Sequence, residues 1–239
     1  MPDFGGFRPA ALRFLRDLAR NNEKVWFEAN RDRYEREVRE PMRQLVEALD
    51  ARLGSIAPEI VGDPKRSMFR IYRDVRFSRD KAPYKTNVGA WLYHRDAGRA
   101  VGTAGEGGGA GFYLHIDPTA CFMAGGLWMP ARPALQRVRE AIAAQPAALA
   151  RLTSAPDFRR RFDGLSEEAK LQRVPRGFPP DHPAAEWLKL QSFTASASIE
   201  PSVVTSPRLV DRLCRDFERL VPLVRWLNRA LGYPAKARR

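Results

Sequence analysis

The sequence predicts an α+β fold: an antiparallel sheet flanked by an N-terminal helical hairpin and a long C-terminal helix. Three observations carry this. Apolar residues recur at helical spacing near both ends of the chain. Between them, short segments alternate apolar and polar residues with period two. No linker is long enough to separate two cores, so a single domain over 1–239 is expected, with a basic tail at 232–239.

The first helix starts near Pro9, a favoured first helical residue, and carries the stripe Leu12, Phe14, Leu15, Leu18, Ala19. Asn21-Asn22 stops it and caps a second helix, whose stripe runs Trp26, Phe27, Asn30, Tyr34, Val38, Met42, Leu45, Val46, Leu49. Pro41 lacks an N–H and should kink or restart that helix. Asn30 lies on the apolar stripe, so its amide needs a partner, expected from a neighbouring strand. The period then changes to two. Ser67–Phe77 predicts a strand with Phe69, Ile71, Val75 and Phe77 on one face. Ser78–Pro83 is a turn, Asn87–His94 a second strand, Phe112–Asp117 a third and Cys121–Trp128 a fourth. One face of this sheet should be packed and the other wet. Pro133 opens another helix, a short one follows near Leu149, and Asp157–Pro183 is loop-rich. Ala184–Leu190 predicts a helical turn or two and Ser192–Ile199 a late strand. The last helix is capped by Ser206 with Pro207 in its first turn, kinked by Pro222 and ended by Gly232.

Composition bounds the function classes. A chain of 239 residues, 44% hydrophobic, buries on the order of 70% of its extended surface and needs no staples. Cys121 and Cys214 cannot make a disulfide framework and supply no CxxC pair; both sit in apolar patterns. No apolar run reaches the length of a membrane span, and the N-terminus lacks a basic leader and an apolar core. The expectation is a soluble, cytoplasmic protein with no membrane partner.

The charge is uneven. Net charge is +13, and only seven of the 41 basic residues are lysines. Between Lys65 and Arg99 ten basic residues face three acidic ones, a surplus of seven in about a seventh of the chain. Such a segment favours anionic partners. Within FRIYRDVRFSRDKAPYKTN, Arg70, Tyr72 and Arg76 can line one strand face, while Lys81, Tyr84 and Lys85 follow the turn toward the same place. Guanidinium forks suit carboxylate or phosphate. The competing reading is a salt-bridge lattice in which Asp74 and Asp80 neutralise neighbouring arginines; Arg73, on the packed face, belongs to it.

His115 and Asp117 lie two apart on one strand face, with Tyr113 beside them and His94 ending a neighbouring strand. Such a set can act as acid and base or hold a metal. With only three histidines and no second motif, no metal is assigned and nothing names a cofactor. The run GTAGEGGGAG at 102–111 precedes a strand, whereas a phosphate-binding glycine loop precedes a helix; it reads as a hairpin tip. Trp26 and Phe27 sit at core spacing, which argues against nucleobase stacking. GxSxG, HExxH and CxxC are all absent from the sequence.

Several of these residues recur in one arrangement: Phe4-Gly5-Gly6-Phe7, Asn21-Asn22, Trp26-Phe27, Asn30-Arg31, Phe69-Arg70 through Tyr84-Lys85, Tyr113 through Pro118, Gly125-Gly126 with Trp128 and Pro130, and Pro222 through Leu231. The chain resembles the family called domain of unknown function 2461 over about Phe4 to Leu231. The resemblance implies one α+β unit. The family has no established reaction, so no catalytic residue is carried over. The glycines at 105–111 lie outside the recognised pattern.

Four readings stay open at this level. The first is a module binding an anionic small molecule through Arg70, Tyr72, Arg76, Lys81, Tyr84 and Lys85. The second is an enzyme on such a ligand, with His115 as acid or base and Asp117 as its orienter. The third, less favoured, is a nucleic-acid-binding protein. The fourth is structural charge alone. The first is preferred, because two aspartates cannot pair with every cation in the stretch.

Overall fold

A computed structural model of the chain describes residues 4–101 and 108–236. The N-terminal hairpin is present, with its second arm broken. Helix α1 (Pro9–Arg20) buries Ala11, Leu12, Phe14, Leu15 and Leu18. Short helices α2 (Lys24–Ala29) and α3 (Arg31–Tyr34) lead into a π-turn over Glu35–Arg39, then α4 (Glu40–Ile56). The break has a cause in Pro41. Proline offers no N–H to the carbonyl four residues back, and just before it the Glu40 N–H reaches Glu35 O, five back.

Five antiparallel strands form one sheet in the order β1 (Ile60–Val61), β2 (Val88–His94), β3 (Gly111–Ile116), β4 (Phe122–Leu127), β5 (Phe193–Ser198). The alternation predicted for β3 is borne out, and β5 alternates in the same way. Phe112, Leu114, Ile116, Phe193, Ala195 and Ala197 are buried, while Tyr113, His115, Thr194, Ser196 and Ser198 are less so. The long helix α10 (Leu209–Ala230) covers the apolar face, with Phe217 stacked on Phe112 at 4.3 Å. Gly125 on β4 permits this approach; a Cβ there would meet Leu220 Cδ1 at 2.8 Å and Phe112 Cδ1 at 3.0 Å. Between β4 and β5 the chain makes α5 (Arg132–Ala144), α6 (Ala148–Ser154), α7 (Pro156–Arg159) and α8 (Ala185–Leu188); α9 (Pro201–Val204) precedes α10. None of the helices is long and apolar enough to cross a membrane, among the described residues.

Several expectations need correction. Ser67–Phe77 is not a regular strand. Its first part pairs with β2, through Phe69 N–H to Gly89 O at 3.0 Å and Trp91 N–H to Ser67 O at 2.9 Å. Its second part pairs with residues 83–85, through Lys85 N–H to Ile71 O at 2.8 Å and Arg73 N–H to Pro83 O at 2.9 Å. A chain that changes partner midway cannot keep one ladder, and Phe77, predicted on the packed face, is 96% exposed. Asn22 caps no helix, and Asn30 is satisfied within its own segment, donating to Trp26 O at 2.9 Å and accepting from Arg33 at 3.2 Å. Helix α10 starts at Leu209, after Pro207; the Ser206 hydroxyl instead accepts from Arg208 N–H at 3.0 Å. It runs on through Pro222 and ends before Gly232. Most of the glycine run, residues 102–107, lies outside the described residues, as do Arg238 and Arg239. Within the tail, Lys236 pairs with Asp96 at 3.3 Å, and its carbonyl accepts from Arg95 at 2.8 Å.

Candidate functional site

The basic segment is built around a fixed turn. Asn22 anchors its far end: the side-chain amide donates to Tyr84 O at 2.9 Å, and its oxygen accepts from Tyr84 N–H at 3.0 Å. The Tyr84 ring then stacks on Phe27 at 4.1 Å. Arg73 closes the turn from within, donating to Asp80 at 2.5 Å, Ala82 O at 3.1 Å and Ser78 Oγ at 3.5 Å. This is the partnered arginine the sequence calls for.

The six predicted ligand residues fall in three places. At the tip, Arg76 forks onto Asp74 at 2.7 and 3.0 Å, and Lys81 donates to Val75 O at 3.0 Å. The Arg76 side chain and amide hold the Asp74 carboxyl down to about 2. Toward the helices, Tyr72 and Tyr84 pack 5.4 Å apart, and the Tyr72 hydroxyl accepts from Arg31 at 3.4 Å; Arg31 is itself forked onto Glu28. Toward the sheet lie Lys85 and Arg70. The Lys85 ammonium sits 5.5 Å from the Phe69 ring centre, and Phe69 meets the Tyr113 ring edge-on at 5.9 Å. Arg76 and Lys81 therefore do not join Lys85 in one cluster, while Arg70 lies within electrostatic reach of both Lys85 and Asp74.

Lys85 and Arg70 differ from Arg76 and Lys81 in a property that Lys65, Arg66 and Arg79 of the same segment share. Neither has an ion pair or hydrogen bond from its side chain among the described residues. Burial, then the like charge of Arg70, pulls the Lys85 pKa below its ordinary value.

His115 lies on the second face of β3, which Phe69 and Lys85 approach; contrary to expectation this face is not wet, because Trp91 and Tyr93 of β2 are buried on it and His115 is half-buried. Its ring stacks on Phe122 at 4.6 Å, and burial lowers its pKa. Nδ1 lies 3.0 Å from the Tyr113 hydroxyl and 3.4 Å from the Asn87 amide nitrogen. An amide N–H can only donate, so Nδ1 is the acceptor and the proton sits on Nε2. No protein acceptor meets Nε2 among the described residues. Gly89, opposite His115 on β2, leaves room for Tyr113; a Cβ there would meet the Tyr113 hydroxyl at 2.9 Å.

Asp117 does not orient His115. Its Oδ1 accepts from Thr119 N–H at 2.8 Å, Thr119 Oγ1 at 2.6 Å and Ala120 N–H at 3.3 Å, capping the turn that follows β3. Its charge acts on His115 only through space, against the larger effect of burial. His94 pairs with Ile60, five residues along β2 from the Gly89 that faces His115, a separation of about 16 Å at strand rise. The three residues therefore do not converge, and no set of three or more His, Cys, Asp or Glu side chains could hold a metal among the described residues. Sequence reasoning did not single out Asn87, Phe69 or Arg31 as parts of these clusters. Asn87 precedes the strand that pairs with β3, Phe69 adjoins Arg70 in sequence, and Arg31, on α3, left no signal.

A family model described as conserved hypothetical protein (DUF2461) matches residues 10–226. The chain belongs to this family. No curated protein and no solved structure matches it. Family membership thus agrees with the arrangement of motifs from the N-terminal hairpin to α10 and assigns no chemistry to the Lys85 cluster.

Proposed function

We propose that the chain is a single α+β domain, acting in the cytoplasm, that binds an anionic small molecule on the half-covered face of its sheet beside Lys85, Arg70 and His115. One observation carries the reading: the Lys85 ammonium, the Arg70 guanidinium and the His115 Nε2–H are donors with no protein acceptor among the described residues. A carboxylate or phosphate group accepts from all three kinds and offsets the like charges of half-buried Lys85 and exposed Arg70. Tyr113 and Asn87 position the imidazole, and Asn22 fixes the backbone before Lys85. Tyr72, Tyr84, Arg76 and Lys81 frame the turn and stand outside the ligand's reach. The two buried free cysteines suit a reducing compartment. Trp26 and Phe27, the aromatics nearest the basic segment on the helical side, pack inward, which favours a small ligand over a stacked nucleic-acid strand.

The test is thermal shift of the whole chain against phosphate, citrate and sugar phosphates, with chloride at matched ionic strength as reference. Saturable stabilisation that Lys85→Met or Arg70→Gln reduces is expected. Equal responses of wild type and both variants, or a response reproduced by chloride, would remove the proposal.

A further inference from the structure

Helix α10 carries Arg212, Arg215 and Arg219 at spacings of three and four, which puts them on one side of the helix, with Arg208 just before its first turn. Asp216 lies among them and is fully buried. Three guanidiniums converge on its carboxylate. Arg161 Nε and Arg212 Nε donate to Oδ2, each at 3.0 Å, and Arg219 donates to Oδ1 at 3.1 Å. The second arm of Arg161 donates to Ser198 O at 2.7 Å, at the end of β5.

A buried carboxylate needs one cationic partner to be neutralised. Here three surround it, leaving two positive charges in excess over a single buried anion. The nearby acids do not make up the difference. Asp211 is paired with Arg52 at 2.8 Å and Asp157 with Arg160, while Glu218 acts on Arg52 and Cys214. Asp163 and Glu200, in adjoining segments, are exposed and make no ion pair among the described residues. Arg212 engages Asp216 only through Nε, and Arg219 only through one terminal nitrogen, which also reaches Arg215 O at 3.3 Å. The remaining N–H groups of both forks have no protein acceptor among the described residues, and both side chains are about one-third exposed.

We propose that this cluster is a second anion site, distinct from the one beside Lys85, that takes the dianionic phosphate group of a small molecule or inorganic phosphate. Asp216 is its hub: it fixes three guanidiniums within one carboxylate's reach, so their outer donors are already oriented when the ligand arrives. Forked, paired N–H donors match a tetrahedral oxyanion with two acceptors presented to each arginine. The excess of two charges matches a dianion. Arg215, exposed one turn from both Arg212 and Arg219, stands at the rim.

The experiment uses the whole chain labelled with nitrogen-15. Inorganic phosphate is titrated against a chloride control of equal ionic strength, following the arginine Nε–H signals, and affinity is measured by calorimetry. Saturable shifts of the Arg161 and Arg212 signals are expected with phosphate only. Arg212→Gln should weaken this binding about tenfold or more, while Lys85→Met leaves it unchanged. Signals that do not saturate, or that move equally with chloride, would overturn the proposal, as would unchanged affinity in Arg212→Gln. The wild-type titration reads the site even if that variant fails to fold. Saturable arginine shifts alongside a thermal stabilisation that does not depend on Lys85 or Arg70 would count against the first site alone.

Discussion

Asn22 holds Tyr84 by both of its backbone groups, with hydrogen bonds of 2.9 and 3.0 Å that join positions 62 residues apart. One amide side chain thereby does what a neighbouring strand would do, and the residue it fixes precedes Lys85. Asn228 treats Ala110 in the same way, at 2.8 and 3.0 Å, beside the start of β3.

Replacing Asn22 should therefore loosen the candidate site as well as the fold. Asn22→Ala leaves a partly buried N–H and C=O without their partner, at about 1–3 kcal/mol. Urea unfolding should show a lower midpoint with an unchanged slope. The same variant should weaken anion stabilisation beside Lys85 while leaving phosphate shifts at Arg212 in place.

The tip of the turn makes a pH prediction. Asp74 titrates near 2 in the folded chain, below its ordinary 3.8. A depressed carboxyl contributes stability above its unfolded value, and that contribution is lost as the pH falls through the folded one. The pair is exposed, so the readout is the titration itself. Carbon-13 NMR of the carboxyl should give a midpoint near 2, and Arg76→Gln should return it toward 3.8.

His94 predicts a dependence at milder pH. It is buried; its Nε2 donates to Pro234 O at 3.3 Å and its Nδ1 accepts from Asp96 N–H at 3.3 Å. Burial lowers its pKa from the ordinary 6.5; Asp96, Glu59 and the Pro234 carbonyl oppose this, and Arg95 adds to it. The unfolded chain therefore binds more protons below 6.5, so stability is full above that pH and declines beneath it. A second proton would also sit on Nδ1, facing a donor. Denaturation measured between about pH 8 and pH 5 should show this slope, and His94→Asn should reduce it, leaving the part that His115, lowered in the same direction, contributes.

Gly125 sets how closely α10 approaches the sheet. Gly125→Val should cost about 1–3 kcal/mol by forcing Leu220 and Phe112 apart. Thermal unfolding of this variant, beside Gly54→Ala on open helix surface, would separate overpacking from a general loss of glycine.

Much of this fold was legible because periodicity reports burial. Asn87–His94, Phe112–Asp117, Cys121–Trp128 and Ser192–Ile199 each became a strand within two residues of the expected bounds. Ser67–Phe77 has the same period, yet period two says nothing about which neighbour a strand pairs with, and this one has two. β1, two residues long, is too short to leave a pattern. In the candidate site, the residue types were legible and their grouping was not. Lys85 and Tyr84 are adjacent in sequence but pack on Phe69 and Phe27 respectively. Asp117 was misread because a short carboxylate beside a turn finds backbone N–H groups closer than any imidazole. Asn22 looked like a helix cap because its long-range partner leaves no local trace.

The outer edge of β2 is shared by two short pieces of chain, Ile60–Val61 at one end and Met68–Phe69 at the other. Neither is long enough to serve as a template for another molecule, and together they occupy the groups that such a template would need. A broad apolar sheet is thus kept from recruiting copies of itself. Variants that dislodge residues 67–69 should form β-rich aggregates at concentrations where the parent chain stays dispersed.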